Sequence, residues 1–120
     1  MQDAVREYLI DVARAGKVTT YSALATECRL GLDLSLAHDR AEIGRILGDI
    51  SSSEHEQGRP LLSVVAVLAE TGLPSDGFYR LTESLELGTA RRLKQDLFGE
   101  LEMARCFAFW SKPSNYRTYK

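Results

Sequence analysis

Gly16 to Ala25, reading GKVTTYSALA, constrains the fold more than any other stretch of the chain. Gly16 supplies the permissive backbone that helix C-termini favour, so it closes whatever helix precedes it. Val18-Thr19-Thr20 is β-branched throughout and reads as a very short strand or extended link. Thr20 then offers a hydroxyl to the orphan N–H groups of a new helix carrying Leu24, Ala25 and Cys28.

The neighbouring segments follow from this punctuation. Upstream, Val5, Tyr8, Leu9, Val12 and Ala13 recur at three- and four-residue spacing between charged residues, which is a one-faced amphipathic helix. Downstream, RLGLDLSLAH (29–38) reads as a turn held to the core by Leu32, Leu34 and Leu36. Asp39-x-x-Glu42 has the form of a capping box, and Ile43, Ile46, Leu47 and Ile50 supply the buried stripe of a third helix. SSSEHEQGR (51–59) is polar and predicts fraying of that helix. Three helices joined in this way predict a helix-turn-helix arrangement.

After Pro60, LLSVVAVLA (61–69) is valine-rich and bounded by breakers, which predicts a strand. ETGLPSD (70–76) predicts a turn and Gly77-Phe78-Tyr79 a partner strand. The expected fold is therefore mainly α with a small β-hairpin, a winged helix-turn-helix, forming one domain over residues 1–120. Leucine spacing resumes at Leu81, Leu85 and Leu87, breaks at Gly88, and restarts with Leu93, Leu97, Leu101, Ala104 and Ala108. That predicts a helical extension over about 80–112, followed by a short basic-aromatic tail, 113–120.

VTTYSALA, followed by IGRIL (43–47) and a proline-opened hairpin, resembles the winged-helix domain of the alkylguanine-DNA alkyltransferases and the related alkyltransferase-like proteins. The resemblance covers roughly residues 16–80. It implies a DNA-binding scaffold in which the tyrosine of the TY motif, Tyr21 here, touches DNA. In the alkyltransferases a Cys-His pair follows the proline; Leu61 and Leu62 stand there in this chain. A leucine cannot replace a thiolate nucleophile, so alkyl transfer by that route is excluded. The arginine that fills the space left by a flipped nucleotide would align with Ala41, and Arg40, one position away, is rotated by about 100° on a helix. GRPLLSVVAVLAETGLPSDGFYRL is also similar to segments of bacterial proteins without an established activity.

Charge bears on partners. The chain has a net charge of −2, yet residues 88–120 carry seven Lys or Arg against three acids, so an anionic partner should meet the C-terminal end. The third helix, 39–57, sets Arg40 and Arg45 against five acids, and the 70–76 turn has two acids and no Lys or Arg. Two functions stay open: a non-enzymatic protein binding double-stranded DNA through Tyr21, Arg40, Arg45, Arg117 and Lys120, or a protein-interaction module using the acidic third helix or wing. Tyr21 is either a phosphate contact or an aromatic lid over the helix junction.

No catalytic residue, metal site or cofactor is expected. Cys28 and Cys106 stand far apart without CxxC or Cys/His clustering. Glu54-His55-Glu56 has a proton-transfer composition, but adjacent helical residues do not face one another. No apolar run reaches the ~20 residues that span a bilayer, and the acidic opening segment is unlike a signal peptide, which points to a cytoplasmic protein without membrane contact. The sequence leaves the oligomeric state open.

Overall fold

The structure is a computed structural model that describes residues 2–120. The chain is mainly helical, with one two-stranded sheet. Helix α1 (Gln2–Arg14) buries Val5, Leu9, Ile10 and Ala13, as its periodicity predicts. Gly16 has φ +69°, and the N–H groups of Gly16 and Lys17 return to the carbonyls of Ala13 and Val12, closing the helix. Strand β1 (Thr19–Thr20) runs straight into helix α2 (Tyr21–Glu27). Thr20 is its N-cap, the hydroxyl accepting the N–H of Ala23 at 3.1 Å. Thr20→Ala is expected to cost about 1 kcal/mol of stability, read from a denaturant melt. A loss near zero would mean that tertiary packing alone holds α2.

The connection to the next helix is anchored by Leu30, with Leu32 and Leu34 partly buried and Leu36 exposed. Helix α3 (Ala37–Glu56) starts two residues before the expected cap. Asp39 instead turns back to the connection and accepts the N–H of Asp33 at 2.8 Å. The polar 51–56 stretch does not fray. Ser51 and Glu54 are buried, and each has partners that make burial tolerable: Ser63 for Ser51, Arg6 and Arg59 for Glu54.

The expected hairpin does not form. Residues Leu62–Val65 make a turn of 3-10 helix, and β2 (Ala66–Val67) pairs parallel with β1, Thr19 opposite Ala66 and Thr20 opposite Val67. The LLSVV run is buried on all sides, packed against α1, α3 and the later helix α6 (Phe98–Ser111). A fully buried apolar run carries no period that separates strand from helical turn. Gly77-Phe78-Tyr79 belongs to helix α4 (Asp76–Ser84), whose buried face is Phe78, Tyr79 and Thr82.

The C-terminal extension is three helices: α5 (Ala90–Gln95), α6, and α7 (Pro113–Tyr119). Leu97, at φ +58°, makes the corner between α5 and α6. Pro113 opens α7 rather than ending the chain's helical part, because proline suits the first helical position. The basic-aromatic tail is thus a helix laid against α1. Arg6 donates to the carbonyls of Tyr119 and Lys120, and Asp11 takes both the Tyr116 hydroxyl and the Lys120 ammonium. Trp110 is completely buried, while Phe107 is half-buried. Among the described residues no helix is long and apolar enough to cross a membrane.

Candidate nucleic-acid interface

An open groove of about 1150 Å³ lies between the first turns of α2 and α4, the face of α3 from Ala37 to Gly48, and the loop that follows β2. One wall is the α3 face bearing Ala37, Ala41, Gly44 and Gly48, whose small side chains keep the space open. The opposite wall holds Leu68, Pro74 and Phe78. Ser63 lies at the base; its hydroxyl and N–H are both bonded to the buried Ser51 hydroxyl.

Polar groups gather at the edges. Tyr21 lines the groove, and its hydroxyl donates to Ser75 Oγ at 3.1 Å and accepts the Ser75 N–H at 3.2 Å. It joins α2 to the start of α4 instead of covering the junction of the first two helices. Arg40 and Arg80 also line the groove. Arg40 donates to the carbonyl of Leu34 at 2.9 Å, fixing its stem beside the first turn of α3. The N-caps of α3 and α4, Leu36 and Ser75, make no side-chain capping bond, although the Phe78 N–H of α4 turns to the Ser75 carbonyl.

Two acids share this edge. Asp76 is bonded to Lys94 at 2.8 Å, and that ammonium holds its carboxyl below the usual range. Glu70 stands on the loop, where Gly72, at φ +69°, and the Leu68–Leu73 backbone bond make a tight turn.

The other expected site residues lie apart. Arg45 is clamped between Glu42 and Asp49 on the exposed side of α3. Its ordinary pKa is pushed upward, mainly by the Glu42 hydrogen bond. Lys120 is bonded to Asp11 at 2.9 Å, and Arg117 stands exposed on α7. Tyr21 and Arg40 therefore both line the groove, Arg117 and Lys120 lie at the C-terminal end with only Lys120 bonded to α1, and Arg45 belongs to neither. Arg80 and Ser75 were not singled out from sequence. Ser75-Asp76 is a helix-start signal that announces them, but it lies inside ETGLPSD (70–76), whose composition predicts a turn.

Leu61 and Leu62 are sealed in the core. Ala41 opens onto the groove. Among the described residues no group of His, Cys, Asp and Glu is placed to hold a metal ion. Glu54 is buried beneath His55, which is exposed, so the two do not form a catalytic pair.

Cys106 is fully buried, and its thiol is pushed up to about 12, chiefly by burial and further by Glu102 and Glu54. A thiol held that high carries almost no thiolate near neutral pH. Native protein treated with iodoacetamide should therefore be modified at Cys28, with Cys106 reacting only after denaturation. Equal labelling of both in the native state would show that the α6 core opens.

No family model, characterised protein or solved structure matches the chain.

Proposed function

We propose that the chain is a non-enzymatic nucleic-acid-binding module, a winged helix-turn-helix scaffold whose wing is reduced to the 68–75 loop. The order α1–β1–α2–α3–β2 supports the scaffold reading. One observation carries the binding reading: Arg40, Arg80 and two uncapped helix N-termini surround a groove whose walls are largely apolar. Cationic side chains and helix N-termini suit phosphates, and an apolar cleft suits the flat face of a base. The docking element is then the groove edge, with Tyr21 and Arg40 at its centre, rather than the outer side of α3 on which Arg45 is neutralised.

The test is titration of labelled duplex DNA, with the matching single strand in parallel, at low and rising salt. Salt-sensitive binding is expected. Arg40→Ala and Arg80→Ala should each weaken it across sequences and reduce the salt slope by about one. Lack of binding to either form at low salt overturns the proposal.

The second reading is a protein-interaction module. It is favoured by the pairing of Arg45 with Glu42 and Asp49, which leaves the exposed side of α3 without a free cation between Ala41 and Asp49. Under that reading DNA does not bind at any salt concentration, and substitutions at Arg40 and Arg80 leave nothing to measure.

A further inference from the structure

Helix α6 is apolar on both sides. Its inner face buries Gly99, Cys106 and Trp110, with Glu102 the one charged residue among them. Its outer face should be polar if it met only water. Instead Leu97 at the corner, then Leu101, Ala104, Ala108 and Ser111, run down the middle of the exposed side. Leu101 is 64% exposed and Leu97 56%, more than any other large apolar side chain described. The intervals are four, three, four and three residues, the spacing with which two helices form a seam.

The charges beside the stripe choose the occupant. Glu100 lies on one flank and Arg105 on the other, five residues further on. A second α6 laid parallel about a two-fold axis puts Glu100 of each copy against Arg105 of the other. An antiparallel copy puts Glu100 against Glu100 and Arg105 against Arg105. Arg105 already donates through Nη1 to the buried Glu102, which fixes its stem and leaves its remaining N–H groups for a partner. We propose that α6 is the contact of a parallel, two-fold homodimer of this chain, with Leu97 and Leu101 packed against their copies and Glu100–Arg105 pairs closing both flanks.

The alanines allow close approach but add little area, so the association is of the weak, concentration-dependent kind. It is tested by sedimentation velocity of the full chain over a range of micromolar to millimolar concentration. The weight-average mass should rise from one copy towards two. Leu101→Glu, at an exposed position that leaves the fold intact by circular dichroism, should weaken dimerisation at least tenfold. Orientation is read by Ser111→Cys in a Cys28→Ser background, which should form a disulfide-linked dimer under mild oxidation, since only the parallel arrangement brings the two 111 positions together. A chain that stays monomeric throughout, a dimer indifferent to Leu101→Glu, or a Ser111→Cys variant that does not cross-link would each overturn the proposal.

Discussion

Replacing Glu54 with alanine should destabilise the protein more than any other single polar substitution. Glu54 is 1% exposed at the end of α3, with one carboxylate oxygen on Arg6 Nε at 2.6 Å and the other on Arg59 Nε. Its partners are themselves mostly buried. Arg6 reaches on to the last carbonyls of α7, and its guanidinium lies 5.9 Å from the Trp110 ring. Arg59 lies over the Tyr119 ring at 5.5 Å. One carboxylate therefore ties three helices, and its removal leaves Arg59 without its acceptor and Arg6 with only the α7 carbonyls.

Removing one partner of a buried ion pair costs about 3–5 kcal/mol, well beyond the median for exposed pairs such as Arg92–Asp96. For a chain of this size that corresponds to a fall of roughly 10–20 °C in Tm. Glu54→Gln keeps the volume and one acceptor, and should lose less. Hydrogen exchange separates this from simple cavity formation: amides of α7 should lose protection before those of α2, which the clamp does not touch. A loss below about 1 kcal/mol would show that the desolvation of Glu54 cancels its pairing.

The clamp also shows where the sequence stops being legible. Glu54 sits in a polar run that by composition belongs to a surface, and only the approach of Arg6 and Arg59 allows its burial. The local signals were readable because they act within a few residues: Gly16 as a helix stop, Thr20 as a cap, and the apolar stripes of α1 and α3. Residues 61–67 are buried all round, so composition speaks for a strand throughout, whereas packing makes Leu62–Val65 a tight helical turn and leaves only Ala66–Val67 as strand. With the strand misplaced, Gly77 and Phe78 became its partner, and the helix that carries Arg80 to the groove went unseen.

The groove itself joins residues near 20, 40 and 75, pairings that no local pattern encodes. Its legible parts were Tyr21 and Arg40. In α6 the apolar spacing was read correctly as helical, but the side facing the core was not decided by it: Leu97 and Leu101 fit the pattern and lie outside.

The junction between α4 and α6 leaves no room for a side chain at Gly99. Gly99, in the first turn of α6, donates its N–H to the Tyr79 hydroxyl at 3.2 Å, and a Cβ added there would stand 2.7 Å from that oxygen. Real Cβ atoms do not approach an oxygen so closely. Tyr79 has little room to yield, since its ring is buried, meets Phe78 edge-on at 5.3 Å between centroids, and lies under the Lys94 ammonium. Burial is also the main reason its phenol is held above the ordinary pKa.

Gly99→Ala should therefore force α6 away from α4 at a cost of about 1–3 kcal/mol, against the gain that alanine normally brings to a helix. Tyr79→Phe alone removes the acceptor of a buried N–H and should cost about 1 kcal/mol. In the double variant the clash disappears with the hydroxyl, so its stability should exceed the value obtained by adding the two losses by at least ~1 kcal/mol. Additive losses would mean that the hydroxyl is not what Gly99 makes room for. The same displacement bears on the groove, because Tyr79 is followed by Arg80 on α4. If the arginines bind phosphate, Gly99→Ala should weaken DNA binding at a temperature where the variant is still folded, and Tyr79→Phe in that background should restore it.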